Sequence, residues 1–322
     1  MITVYRESGG RLAASGAALE PLAGVVWIDL HAPSAAEEKA VEAALGLNIP
    51  TREDMEEIES SSRAYAEDGA LYLTAQVVAS PEGREPELAP VTFVVAGPRL
   101  VTVRYHAPGS IAYFAKRAEA HPLGCTSGMT TLMALMETIV DRLADILEGE
   151  GRKLDATTRA IFEAHRPSGR MQVLSALMQR IGRAEDLNGK VDESLTTLAR
   201  LGTYLALAGG EAKADKADKG RLKVLGRDIR SLLEAAEKHE RKITFQLDAT
   251  LGVINIRQAD VIKIFSVVAF VFLPPTLIAS IYGMNFDVMP ELHWPWGYPL
   301  ALLAMAVSAL VPFLIFRWKK WL

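Results

Sequence analysis

Two uncharged runs constrain this chain more than any other feature. Between Lys263 and Asp287 no side chain carries charge, and Val261 to Phe286 reads VIKIFSVVAFVFLPPTLIASIYGMNF. A helix rising about 1.5 Å per residue needs about twenty residues to cross hydrocarbon about 30 Å thick, and this run is long enough. A second uncharged run, Pro299 to Phe316, ends in Arg317, Lys319 and Lys320, and only Phe286 to Tyr298 separates the two. The economical reading is a transmembrane hairpin, with everything before it outside the bilayer. Two buried helices of a soluble core are the competing reading, and bilayer length in both runs argues against it.

The remaining composition is that of a soluble body carrying a small apolar appendage. Charged residues make up 23% of the 322, while mean hydropathy is only slightly positive at +0.14. A formal net charge of −4 argues against nucleic acid as a partner. Cys125 is the single cysteine, so no internal disulfide forms and a reducing compartment is expected. The opening MITVYRESGG lacks the apolar segment of a secretory signal.

Positive charge sets the orientation. Arg257 and Lys263 lie on the N-terminal side of the first span, Arg317, Lys319 and Lys320 follow the second, and the loop between carries only Asp287, Glu291 and His293. The positive-inside rule puts both termini in the cytoplasm and that loop outside. Trp294, Trp296 and Tyr298 at one face, with Trp318 and Trp321 at the other, read as interfacial aromatics.

Taken in order, the first hundred residues look α/β. β-Branched runs at Val25 to Leu30, Ala70 to Ala79, Val91 to Ala96 and Leu100 to Tyr105 predict strands. Ser34 with Glu37 forms a capping-box pattern that opens a helix to about Leu45, and Thr51 with Asp54 opens another. The acids of that second helix, Glu53, Asp54, Glu56, Glu57 and Glu59, read as a solvated face or as a surface that concentrates cations in outer-sphere fashion.

From about Ser127 the pattern becomes helical: Leu132, Leu135, Met136, Ile139, Leu143, Ile146 and Leu147 share a face through to about Phe162. A second helix runs from about Gly169 to Leu207, and Gly209 to Gly220 reads as a flexible charged connector. No proline falls between Arg221 and Pro274. Arg221 to Tyr282 therefore reads as one helix of about 62 residues, roughly 90 Å long. About two-thirds of it precedes the apolar run, which suggests a stalk shared among subunits.

Within the first span, Ser266, Ala269, Leu273, Thr276, Ser280 and Gly283 follow one another at steps of three and four and share one stripe. Such a stripe is a packing seam for a neighbouring helix or the wall of a narrow water path formed by several copies. The end of the span bears on the choice. Tyr282-Gly283-Met284-Asn285 lies where the helix would leave the bilayer, beside an acid-only loop. Gly and Asn are ordinary helix terminators. A ring of amide oxygens would also suit Mg²⁺, which dehydrates reluctantly and could be held through its own waters.

IYGMNF (Ile281 to Phe286), followed by MPELHWPWGYP (Met289 to Pro299), resembles the signature of the CorA family of magnesium and cobalt channels. The likeness extends to LPPTLIAS (Leu273 to Ser280), RWKKWL at the end, WIDLHAPS (Trp27 to Ser34) and IPTREDMEEIESSSRAY (Ile49 to Tyr65), and so spans nearly the whole chain. It implies an α+β fold: a cytosolic α/β domain over 1–125, a helical segment over 126–220, a stalk over 221–260 and a first span over 261–285. A periplasmic loop over 286–298, a second span over 299–317 and a basic cytosolic tail over 318–322 complete it. It also implies a homopentamer in the inner membrane of a bacterium, with five first spans lining a pore.

Carried over residue by residue, Gly283, Met284 and Asn285 take the selectivity-filter positions. Leu273 and Thr276 match positions that line the family's pore, so the rest of the stripe, Ser266, Ala269 and Ser280, would line the path with them, and Ile262 and Phe265 fall in an apolar constriction that closes by excluding water. Asp287 and Glu291 would attract cations at the outer mouth, and Lys319 and Lys320 match a basic collar at the cytosolic one. Asp228, in the stalk sequence GRDIR, is the match for a regulatory Mg²⁺ site between subunits. Ala259 stands where some members have an asparagine.

The resemblance thus implies a passive Mg²⁺ channel, with Co²⁺ and Ni²⁺ as further cargo, gated by internal Mg²⁺ and needing no cofactor. A Zn²⁺ transporter of the same two-span architecture, with proton coupling, is the alternative; Met284 and the lack of His or Cys in the first span weigh against it. A membrane-anchored scaffold would not need two spans. An enzyme finds little support, because the six histidines are dispersed and no phosphate-binding glycine loop or nucleophile setting is present.

Overall fold

The β-branched runs of the first hundred residues pair into one seven-stranded sheet, ordered β2-β1-β3-β7-β6-β5-β4. Its strands are β1 (Ile2–Ser8), β2 (Arg11–Ala14), β3 (Val25–His31), β4 (Ala64–Glu67), β5 (Ala70–Ala79), β6 (Glu87–Ala96) and β7 (Arg99–Arg104). β3 and β7 are parallel, Trp27 facing Leu100, and the other neighbouring pairs are antiparallel. This computed structural model describes residues 1–57, 63–79, 85–164, 171–211, 216–285 and 289–319. It divides into two units, Met1–Glu163 with Ser175–Gln246 and Ala164–Leu174 with Leu247–Leu322.

In the first unit both faces of the sheet are covered, so β3 reads as an almost continuous apolar run rather than an alternating one. On one face Ile28, Leu30, Val101 and Val103 pack with Val41 of α1 (Ala35–Leu45) and Met55 of α2 (Arg52–Glu56). On the other, Trp27, Phe93 and Leu100 meet Phe114 of α3 (Gly109–Ala120) and residues of α4 (Gly128–Ala164) and α5 (Met171–Glu211). Tyr5 stacks on Trp27 with centroids 4.2 Å apart, and burial pushes its phenol up to about 12.

The charge inside this core is matched. Arg104 Nη2 lies 2.8 Å from Asp29 Oδ2 and its Nε donates to Oδ1 at 3.1 Å. Thr102 Oγ1 donates to the same carboxylate at 2.7 Å and receives Trp27 Nε1 at 3.0 Å. A buried pair survives when its remaining lone pairs are met in this way.

Local chemistry sets the helix ends. The capping boxes of Ser34 with Glu37 and of Thr51 with Asp54 are both formed. The backbone N–H of Ser34 and the N-terminal ammonium of Met1 hold the Glu37 carboxyl down to about 2. α4 starts hard against the turn between β6 and β7: Gly128 N–H donates to Pro98 O at 2.7 Å, and a Cβ on Gly128 would stand 2.2 Å from Arg99 O. At the other side of the sheet, where β4 ends, Thr197 of α5 caps the strand edge. Its Oγ1 accepts the Gln76 N–H at 3.0 Å.

α6 (Lys216–Tyr282) is one helix of 67 residues. Within the first unit it runs parallel to α4, because its partners climb together: Arg221 with Glu137 at 2.9 and 2.7 Å, His239 against Gly151, Lys242 with Asp155, and Gln246 Nε2 to Leu154 O at 2.7 Å. It begins five residues before the expected Arg221, and α5 reaches Glu211, so the stretch read as a connector is helical on both sides. The reason is composition. Ala, Lys and Glu are strong helix formers, and three glycines at about 1 kcal/mol each do not outweigh them. Residues 212–215 lie outside the described residues.

In the second unit the apolar part of α6 pairs with α7 (Gly297–Trp318), after a short 3₁₀ turn, Pro290–His293. Both helices are long and apolar enough to cross a membrane. The Phe270 and Phe316 rings meet at 5.9 Å and fix their antiparallel register. On α7, Ala301 is buried and Met305, Ser308, Ala309, Pro312 and Phe316 are half-buried, one face at helical spacing. The complementary face of α6 is Val267, Val271, Pro274, Pro275 and Ile278.

Candidate functional site

The stripe of small and polar residues lies on the side of α6 that α7 leaves uncovered. At about 100° per residue, Leu273 and its companions fall roughly opposite the covered face. Val267 is 4% exposed, whereas Ile262, Phe265 and Leu273 are 65%, 71% and 68% exposed. Ala269, Thr276, Ser280 and Gly283 are likewise exposed and Ser266 is half-buried. The stripe is therefore not a seam for α7, and the hydroxyls of Ser266 and Thr276 are turned onto their own helix. Ser266 Oγ donates to Ile262 O at 2.9 Å and Thr276 Oγ1 to Phe272 O at 2.7 Å. Such back-bonding leaves each hydroxyl oxygen with a lone pair to offer.

α6 closes at Tyr282. Gly283 N–H still donates to Ala279 O at 3.0 Å, and Met284 N–H reaches Ile281 O at 3.3 Å, a tighter final turn. A Cβ on Gly283 would sit 3.2 Å from Ala279 O, closer than ordinary contact. Met284 and Asn285 follow, both exposed. The end of the stripe thus gathers the last carbonyls of a helix and an exposed carboxamide, all neutral oxygen groups.

The other expected site residues are more scattered. Asp287 and Lys320 lie outside the described residues; Glu291 belongs to the Pro290–His293 turn, and Lys319 caps α7 by donating its N–H to Ile315 O at 3.0 Å. Trp294, Trp296, Tyr298 and Trp318 are all exposed, and Trp321 lies outside the described residues.

Asp228 lies on α6 in the first unit, half-exposed, with Arg227 Nε 3.9 Å away. Its charge reaches Asp141 of α4, a residue the sequence reading did not single out. Burial pushes the Asp141 carboxyl up; Arg117 opposes this, and Glu137, Asp145 and Asp228 add to it. The signal for Asp141 was available only as its spacing from Glu137 and Asp145 on one helix, which looks like any solvated acidic face. Among the described residues of a single chain, no three His, Cys, Asp or Glu side chains gather to hold a metal ion.

Comparison with known proteins is decisive for the family. Residues 23–320 match the model of the CorA-like Mg2+ transporter protein family. The magnesium transport protein CorA of Escherichia coli is 35% identical over 307 residues, 94% of either chain. Among solved structures, the complete CorA magnesium transporter of Methanocaldococcus jannaschii superposes with a TM-score of 0.78 over 100% of this chain and 99% of that one, at 17% identity. The ZntB cytoplasmic domain from Vibrio parahaemolyticus covers 80% of this chain and 98% of its own, with a TM-score of 0.54 and 12% identity, a likeness of fold alone. With its α+β body, long helix and apolar hairpin, the chain belongs to the CorA-like Mg2+ transporter family.

Proposed function

We propose that this protein carries Mg²⁺ into the cell as a passive channel. One observation carries the reading: the stripe from Ser266 to Gly283 occupies the face of α6 that its own second span leaves open, and it ends at the oxygens of Gly283-Met284-Asn285. Symmetry-related copies of that face, five in a homopentamer, would enclose a path whose polar groups are uncharged throughout.

Neutral oxygens suit this cargo. Mg²⁺ keeps its waters, so carboxamides at the filter would bind the hydrated ion through its shell, and a carboxylate ring would hold it too long for rapid passage. Asp287 and Glu291 raise the cation concentration at the outer mouth. The inside-negative potential of the inner membrane supplies about 4.6 kcal/mol per 100 mV to a doubly charged ion. With both termini in the cytoplasm, Lys319 and Lys320 form the inner collar.

Closure falls to Ile262 and Phe265, whose exposed apolar side chains would meet across the axis and exclude water. Internal Mg²⁺ bridging acids between subunits, Asp228 among them, holds the closed state; its loss lets the acids repel and the constriction wet. Co²⁺ and Ni²⁺, which also hold their waters, would pass by the same route.

Zn²⁺ transport is the alternative within the architecture. It is disfavoured because the chain's 35% whole-length likeness is to a protein named for magnesium transport, and because no His or Cys stands in the first span. Two measurements on reconstituted full-length protein test the reading. Asn285→Ala should reduce Mg²⁺ flux to that of empty liposomes while the assembly keeps its size; undiminished flux would overturn the filter assignment. Competing Zn²⁺ against Mg²⁺, with and without a pH gradient, should leave Mg²⁺ the preferred cargo and the gradient without effect.

A further inference from the structure

Three prolines interrupt the backbone of the hairpin at a single depth. Pro274 and Pro275 lie inside α6 and Pro312 inside α7. A proline has no N–H, so the carbonyls four residues earlier, on Phe270, Val271 and Ser308, lose their helical donors. Nearby hydroxyls do not replace them, since Thr276 donates to Phe272 O and Ser308 Oγ to Met305 O. The contact between Phe270 and Phe316 sets the register. Four residues up α6 from Phe270 is Pro274, and four residues back along α7 from Phe316 is Pro312. All three prolines are half-buried on the faces the helices turn toward each other, off the Ser266 to Gly283 stripe.

We propose that this proline layer is a hinge shared by both helices. It lets the outer half of the hairpin, α6 beyond Pro275 with α7 before Pro312, swing as one body against the inner half. A single kink in α6 would be resisted by an intact α7 packed along it; matched breaks at one depth remove that resistance. The placement gives the hinge its use, and here the inference rests on the channel reading. Pro274 is nine residues from Phe265 and nine from Gly283, about 13 Å along the helix either way. The constriction can therefore widen while the filter oxygens keep their spacing.

The test uses full-length protein in liposomes, with Pro274→Ala/Pro275→Ala, Pro312→Ala and the triple variant. Alanine favours helix, so these variants should assemble as the parent does. Straightening either helix alone should cut the flux difference between Mg²⁺-loaded and Mg²⁺-free vesicles about tenfold, the triple variant should add little, and preference for Mg²⁺ over Ca²⁺ should stay as it was. Spin labels at Ile264→Cys and Ile281→Cys, in chains diluted among unlabelled ones, should report a broad distance distribution in the parent and a narrow one in each variant. Parental flux and distances in all variants would overturn the hinge. An effect confined to the α6 pair would reduce it to a kink private to that helix and overturn the shared device. A parent that carries no Mg²⁺, or an unaffected Asn285→Ala, would instead sink the channel reading, and the label distances would then decide the hinge alone.

Discussion

Leu73 and Leu273 are the same side chain in opposite circumstances: the first is fully buried in the sheet core, the second 68% exposed on the apolar helix. The contrast runs through both units. The first covers its sheet on both faces with helices and answers Asp29 with Arg104 and Thr102, although Phe162, Leu207 and Phe245 on its helices stay exposed. The second leaves Ile262, Phe265, Leu273 and Phe272 uncovered by its own chain. What hides them must come from outside, as lipid or as further copies. Structure within one chain therefore accounts for the sheet core of the first unit, and for one face only of the first span in the second.

That contrast can be broken by substitutions that should act on one unit and not the other. Asp29→Ala leaves the Arg104 guanidinium buried without its carboxylate, and should destabilise the first unit by about 4 kcal/mol. A chemical-denaturation midpoint in detergent that hardly moves would show the pair to be dispensable. Gly128→Ala forces a methyl into Arg99 O and should cost about 3 kcal/mol, read the same way, because backbone rather than a pliant side chain stands there. Leu73→Ala should cost about 3 kcal/mol, while Leu273→Ala should leave that midpoint within about 0.5 kcal/mol of the parent and change only ion flux. Equal costs for the two leucines would abolish the comparison.

The smallest expected effect is a pH dependence. Burial holds the His106 imidazole below its ordinary range while Nε2 donates to Val77 O at 2.8 Å. Its neutral form is the folded one, so below about pH 6.5 the unfolded chain binds the additional proton and stability falls with pH. His31 and His239 are shifted the same way. The denaturation midpoint should drop between about pH 7.5 and pH 5.5, and His106→Gln should make that drop shallower. An unchanged slope would remove His106 from the account.

What was legible in the sequence follows the same division. The two spans, the capping boxes at Ser34 and Thr51 and strands β3, β5, β6 and β7 announce themselves through composition or short-range spacing. β1, β2, β4 and α3 did not. β2 and β4 are four residues each, β1 carries Arg6 and Glu7 toward its end, and α3 opens at Pro108 without a side-chain cap. Those elements are fixed by partners far away in the chain, such as β1 against β3, and tertiary pairing overrides weak local preference. In the hairpin, spacing identified the stripe but left its role open between packing seam and open face. Only the position of α7 shows which side of α6 is covered. The pairing of Pro312 with Pro274 was equally invisible, since it depends on register between two helices.

The threonine that caps the edge of β5 has an effect beyond the bond it accepts there. An uncovered strand edge offers a row of amides and carbonyls to any extended chain nearby. By taking the Gln76 N–H from the side, Thr197 occupies the position an invading strand would need. The sheet is closed off there by a helix, and a newly made chain awaiting insertion has one fewer template on which to aggregate.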